Sequence, residues 1–182
     1  MVKYENIANP ARRRRISQGP GNLTGTRPIT RLRDIDQPFQ FEISFGRRRY
    51  ELVFYDTSSP ESWRLLNPDL IILCYDISQR SSLTNLQRVW IREVRAEFPT
   101  EGILPLAVLG LKRDLRVEDD PNGTIYPQEA TAVASAIRAD RYAECSAVTG
   151  ELLQLAFEEI CQMAAMTSTA EGGQSAGGCC VM

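Results

Sequence analysis

The chain contains no histidine and only two lysines, Lys3 and Lys112, among 182 residues. Without histidine there is no imidazole to shuttle protons or bind zinc, so His-based catalysis is excluded and a transition-metal site is disfavoured. With so few lysines, no GxxxxGK[ST] loop exists, the pattern whose backbone N–H groups and lysine cradle phosphates. The five cysteines (74, 145, 161, 179 and 180) show neither CxxC nor zinc-ligand spacing. Cys74 and Cys145 lie inside apolar strand runs, where a reduced thiol is expected to act as a small core hydrophobe. That usage suits a cytosolic protein. No apolar run reaches membrane-spanning length, and the first residues lack the apolar segment of a secretory signal.

The charge that is present is unevenly placed. Net charge is −2, yet residues 1–56 hold eleven Lys/Arg against six Asp/Glu and the remainder ten against seventeen. A basic head on an acidic body fits an anionic membrane surface or an acidic partner, or else a solvated arm. Nothing in this pattern asks for nucleic acid as a partner.

Three regions are expected. Residues 1–38 carry Arg12, Arg13, Arg14 and Arg15 in a run, four prolines and the stretch QGPGNLTGT, which together read as an irregular segment. Residues 39–166 have the pattern of a folded domain. FQFEISF (39–45) and YELVFYD (50–56) flank a short Gly-containing turn, as in an antiparallel hairpin. DLIILCYDIS (69–78) and ILPLAVLG (103–110) are near-continuous apolar runs of the kind buried in a parallel sheet. A helix is predicted from Ser81 towards Pro99, another over 127–138 with Pro127 in its first turn, and a last one over 149–166. A short strand at 141–145 lies between the last two. Strands alternating with helices predict a doubly wound, mostly parallel α/β sheet. Residues 167–182 form a Gly/Ser-rich tail ending in Cys179-Cys180-Val181-Met182. That ending fits the C-a-a-X prenylation motif, with Cys179 as the lipidated residue. One lipid gives marginal binding, so Arg12 to Arg15 are the candidate second membrane signal.

Two short stretches carry candidate chemistry. LAVLGLKRD (106–114) runs a strand into Lys112-Arg113-Asp114, and YAECSA (142–147) follows about thirty residues later. In an open α/β sheet ligands bind beyond the carboxyl ends of the strands. There the Lys112 stem can lie along a purine face. Asp114 can accept hydrogen bonds from the ring N–H and exocyclic amine of guanine, and the Ala147 N–H can meet its O6. Taken alone, a strand followed by Lys-x-Asp is more often a solvated loop; the pairing with ECSA on the following strand is what makes the signal.

From about residue 41 to 166 the chain resembles the Ras superfamily and, within it, the Rho family. The matching pieces come in order: YELVFYDT, LIILCYDIS, NLQRVWIREV with Trp90 and Glu93-Val94, LGLKRDLR, YAECSA and the C-a-a-X end. The resemblance implies GTP/GDP as ligand with Mg²⁺, and hydrolysis of GTP as the ancestral activity. It places Lys112, Asp114, Ser146 and Ala147 on the nucleotide, and Asp56 near Mg²⁺ through water. It also implies effector or regulatory proteins as partners and a peripheral position at the cytoplasmic face of a membrane.

The departures are specific. Leu111 stands where the family has Asn or Thr, and Val148 where it has Lys. The family's D-T-A-G-Q-E appears as Asp56-Thr57-Ser58-Ser59-Pro60-Glu61, so Pro60 replaces the water-orienting glutamine and no catalytic residue is assigned. QGPGNLTGT has no lysine after its glycines, and Thr30 is too far from Asp56 to match the switch threonine. The strand, loop and helix that open the family fold are therefore missing or replaced. Part of residues 1–38 fills that gap, or the sheet closes up, or the chain is incomplete. The expected function is that of a Rho-like signalling protein with impaired GTP hydrolysis. The alternative is a nucleotide-independent prenylated interaction module presenting the Trp90 helix and the hairpin.

Overall fold

The computed structural model of the chain describes residues 2–5, 38–45, 48–57, 63, 66–98, 104–117 and 123–170. The basic run Arg12–Arg15, QGPGNLTGT, Thr30, residues 58–62 and the tail with Cys179 lie outside the described residues.

Among the described residues the strands form two three-stranded sheets. In the first, β1 (Val2–Glu5) and β2 (Phe39–Phe45) flank β3 (Arg48–Phe54), both antiparallel to it. The expected hairpin is thus present, with its second strand starting at Arg48 rather than Tyr50. Residues 1–38 were expected to be irregular throughout, and Val2–Glu5 departs from that. A strand this short carries too little alternation to be read from sequence, and the free edge of β3 supplies the pairing that its own residues do not announce. The β1 strand occupies that edge of β3 in antiparallel sense, and among the described residues no strand pairs with the other edge of β4.

The second sheet is parallel, in the order β4 (Ile71–Asp76), β5 (Leu106–Leu111), β6 (Arg141–Glu144). Parallel strands need long crossovers, and helices supply them. Helix α1 follows β4 as Arg80–Asn85, a π-helical turn Leu86–Trp90, and Ile91–Glu97. It buries Leu83, Leu86, Ile91 and Val94. Helix α2 (Pro127–Ala136) starts with Pro in its first turn, where the absent N–H has no intrahelical partner to lose. Its buried residues, Ala130 and Ala134, are small enough for a close approach to the sheet. Helix α3 (Leu153–Ala170) begins four residues later than the pattern suggests. Gly150 at φ 76° and Leu152 at φ 54° hold the preceding turn in left-handed geometry, which a right-handed helix cannot include.

One apolar core joins the two sheets: Leu52 of β3 belongs with Trp63, Leu70, Ile71, Ile77, Leu86, Val108 and Ile125. Full burial of a Leu or Ile side chain such as Leu86 or Ile125 is worth about 2–3 kcal/mol relative to exposure. A second contact is aromatic. Phe157 of α3 stacks on Phe54 at 5.9 Å and meets the edge of Phe41 at 5.6 Å between ring centroids. Cys145 is buried as expected, whereas Cys74 has accessible surface among the described residues, although burial by its surroundings still pushes its thiol up to about 12. The face of β4 that Cys74 shares with Ile72 is closed at Ile72 and open at Cys74. Among the described residues no helix is long and apolar enough to cross a membrane.

Candidate functional site

The sheet's carboxyl end brings the two motifs together. β5 ends at Leu111, and Lys112 then takes a left-handed conformation (φ 60°) that turns the chain into a 3-10 turn, Arg113–Leu115. The turn is closed by Leu115 N–H donating to Lys112 O at 2.9 Å. A non-glycine residue at positive φ is uncommon and is held only where its surroundings require it. Here the requirement is visible at the tip of the side chain. Lys112 Nζ donates to Asp76 Oδ2 at 2.5 Å, across from the end of β4. Asp76 is itself fixed by Ser78, whose N–H and hydroxyl donate to Oδ1 at 2.8 and 2.6 Å. Burial pushes the Asp76 carboxyl upward, but the bonds from Lys112 and Ser78 outweigh it and hold the group below the usual value.

The second motif meets the first through backbone and side chain. Cys145 N–H donates to Gly110 O at 2.9 Å, and Arg113 N–H to Cys145 O at 3.2 Å, so β6 and the Lys-x-Asp turn are tied at their ends. Ser146 is fully buried, and its hydroxyl donates to Asp114 Oδ1. The same oxygen accepts from the N–H groups of Val148 (3.2 Å) and Thr149 (3.1 Å). Two backbone bonds, Ser146 N–H to Glu151 O and Gly150 N–H to Ser146 O, each 3.0 Å, lock the loop around that hydroxyl. Gly150 supplies the positive φ this loop needs at no steric cost.

Lys112, Asp114 and Ser146 are thus gathered in one place, with Ala147 exposed beside Ser146. Among the described residues the hydrogen bond to the Asp114 carboxylate is through Oδ1, from Ser146, and none reaches Oδ2. A carboxylate bonded to a buried hydroxyl, beside the exposed residue Ala147, suits a planar ligand that offers adjacent donors and an acceptor. The base of a guanine nucleotide has that pattern, so the residues present fit this end of the ligand. Asp56 is exposed just after β3. Among the described residues no group of three His, Cys, Asp or Glu side chains is placed to hold a metal ion.

Beneath the site lies a polar cluster that sequence reading missed. Arg116 reaches Glu144 with two parallel bonds of 2.6 Å, the forked geometry that carboxylates and guanidinium groups share. Tyr142 donates its hydroxyl to Glu144, and the Tyr75 and Tyr142 hydroxyls are 3.0 Å apart. Burial pushes Glu144 upward, and the bonds from Arg116 and Tyr142 more than reverse it. Burial raises Tyr75 to about 12, and burial together with Glu144 raises Tyr142 as well. The cluster presses on β5 at Gly110, where an added Cβ would lie 2.7 Å from Tyr75 Oη and 2.9 Å from its ring carbon. Arg116 and Glu144 lie within the motifs LGLKRDLR and YAECSA respectively. The available signal was an acidic residue inside a buried strand, which needs a cation somewhere in the chain.

Comparison with known proteins comes from two directions. The model of the Ras family matches residues 35–166. GTP-binding protein RHO1 of Saccharomyces cerevisiae is 26% identical over 195 residues, covering 94% of this chain and 92% of that protein. The Ras-like GTP-binding protein RhoL of Drosophila melanogaster is 34% identical over 125 residues, covering 64% of this chain and 63% of the relative. GTP-binding protein RHO4 of Eremothecium gossypii is 34% identical over 113 residues, and there the chain spans only 42% of the relative's length.

Proposed function

The chain belongs to the Ras family and is a Rho-like small GTPase by its relatives, and from that premise we propose that it is a signalling protein with a surviving guanine pocket and a weakened phosphate site. In this reading Asp114 accepts the guanine ring N–H and exocyclic amine, and the Lys112 stem covers one face of the base. The Ala147 N–H meets O6, and Ser146 aims the carboxylate. GTP or GDP would be the ligand, and Mg²⁺ would be reached from Asp56 through water. The single observation that carries the reading is the buried Ser146 hydroxyl bonded to Asp114, which orients a carboxylate that has no other described partner.

Hydrolysis is expected to be impaired for a separate reason. Phosphoryl transfer depends on positioning and on neutralising charge along the phosphates. No GxxxxGK[ST] lysine is present, and Pro60 stands where the family orients its attacking water. Prenylation at Cys179 would tether the protein to the cytoplasmic face of a membrane, with Arg12 to Arg15 as an electrostatic second contact. Effector or regulatory proteins are the partners such a molecule would address.

A second reading is favoured by one observation. Lys112 is neutralised by Asp76 within the chain, so the base loop holds its left-handed turn without a ligand. That suits a nucleotide-independent interaction module.

Isothermal titration of the purified chain with guanosine, GMP and GDP, each with Mg²⁺, tests both. The expected result is weak binding of all three, with added phosphates gaining less than about tenfold. Submicromolar GDP binding would restore an ordinary nucleotide switch, and no heat with any of them would leave the interaction module.

A further inference from the structure

Helix α3 and the edge strand β2 enclose a groove of about 670 Å³. Its apolar lining includes Ile43, Leu155 and Phe157, and its charged lining is acidic, from Glu158 and Glu159. Leu155 is 58% exposed, and Phe41, two residues before Ile43 on β2, is 43% exposed. Such an apolar strip with a charged rim is a place where chain of matching character binds. The two glutamates are unanswered locally. Glu158 receives one hydrogen bond, from Gln154 Nε2 at 2.8 Å, and no salt bridge among the described residues reaches either acid. No Lys or Arg follows Arg141 anywhere in the sequence.

The chain carries the complementary charge close by. Residues 6–37 contain seven arginines against two aspartates, with Arg12 to Arg15 consecutive and Ile16 next. Strand register fixes where that stretch departs. Glu5 of β1 pairs with Glu51 of β3, and Glu51 with Glu42 of β2, so the chain leaves β1 level with the residue before Ile43. Two strand spacings, about 10 Å, separate β1 from β2. Seven residues from Glu5 to Arg12 span up to roughly 23 Å when extended. The groove is therefore within reach of the basic run without any displacement of the sheet.

We propose that the groove between β2 and α3 is the docking site of the chain's own basic run, with Arg12 to Arg15 on Glu158 and Glu159 and Ile16 over Ile43 and Leu155. Tethering at both β1 and β2 raises the local concentration of the run at the groove far above that of a separate partner. The inference requires no nucleotide. It engages the same arginines that the membrane reading uses, so the groove and an anionic surface compete for them.

Trypsin cuts after arginine, which makes the run its own reporter. The experiment uses the full, unprenylated chain with no lipid present, and mass analysis of fragments isolates cleavage after Arg12 to Arg15. Cleavage there is expected to be slow in the native chain and to rise about tenfold in Glu158→Gln/Glu159→Gln, because proteolysis follows the population of the open form. Raising salt from about 0.1 M to about 1 M should have a similar effect, since exposed ion pairs are screened. Both glutamates are exposed, so the variant keeps the native thermal midpoint. Equal cleavage in native and variant protein, or native cleavage as fast as in urea, would overturn the docking. Slow cleavage that ignores both charge removal and salt would overturn it equally. Because no lipid takes part, such a failure leaves the membrane reading standing. That reading is tested separately by partition of Arg12–Arg15→Ala onto phosphatidylserine vesicles.

Discussion

Gly110 illustrates how one absent methyl positions a site. It lies one residue before the end of β5, between the strand that leads into Lys112 and the buried Tyr75–Tyr142–Glu144 cluster. Replacing it with Ala puts a carbon under 3 Å from the ring of Tyr75, whose hydroxyl is held at 3.0 Å from that of Tyr142. The ring cannot swing away without breaking that contact. Gly110→Ala is expected to lose about 1–3 kcal/mol of stability, in the range of other overpacked sites. A urea titration reads this directly, and an unchanged midpoint would mean the cluster is free to move. Asp76 gives a second residue-scale expectation, in pH. Its folded-state carboxyl is held below the ordinary value, so its contribution to stability is present at neutral pH. The contribution is lost as pH falls through the folded value. Asp76→Asn should therefore flatten the acid limb of the stability curve as pH falls through and below the ordinary carboxylate range, measured as unfolding midpoint against pH. An unaltered limb would sink the claim. Both residues show why the candidate site was half legible. Lys112, Asp114, Ser146 and Ala147 were readable because a known motif names them. Asp76 and Gly110 act through contacts from other strands, which spacing in one sequence does not reveal.

Among elements, the tie between β6 and the turn after β5 decides whether the site exists at all. Arg116 leaves that turn and forks onto Glu144 of β6, with side chains only 10% and 7% exposed. Its Nε also donates to Ile125 O at 3.0 Å, reaching the segment that enters α2. A buried ion pair gives little net stability when intact, but removing one partner strands the other charge. Arg116→Ala is expected to cost about 3–5 kcal/mol for that reason. Arg116→Met with Glu144→Leu should recover much of it, because neither charge then remains. Thermal unfolding of the single and double variants decides the matter. A single variant as stable as the double would show that Arg113, whose Nη1 already lies 4.0 Å from Glu144 Oε2, compensates the charge. Elements were read from sequence with uneven success, and the misses have physical causes. The β4 and β5 runs and α2 announced themselves through continuous apolar stretches and a first-turn proline. The delayed start of α3 depended on left-handed residues at 150 and 152, and only the glycine was suggestive beforehand. Val2–Glu5 is a strand because β3 has an open edge, a cause located fifty residues away.

For the molecule as a whole, the question is whether two separate sheets make one folding unit. Among the described residues no strand of the first sheet hydrogen-bonds to the second, so their union rests on side chains alone. Two contacts provide it. Leu52 belongs to the same buried cluster as Trp63, Leu70 and the parallel strands' Ile71 and Val108. On the other flank Phe157 of α3 sits against Phe41 and Phe54 of the hairpin. Trp63 packs edge-on against Trp90 of α1 at 6.1 Å, so indole fluorescence reports the first junction. The amide signals of β2 and β3 report the hairpin. If the junctions couple the sheets, both probes should trace one cooperative transition with the same midpoint. Phe157→Ala should lower that midpoint by removing about 1–3 kcal/mol, less than a fully enclosed Phe because the ring is half-buried. The variant should also leave the hairpin amides exchanging before the indoles change. Two transitions already present in the unaltered chain would mean that the hairpin and the parallel sheet fold as separate bodies. In that case the groove between β2 and α3 would not persist long enough to hold the basic run, and the docking argued from its geometry would lose its basis. Coincident transitions, followed by their separation in the variant, would tie the groove to the same aromatic contact that joins the sheets.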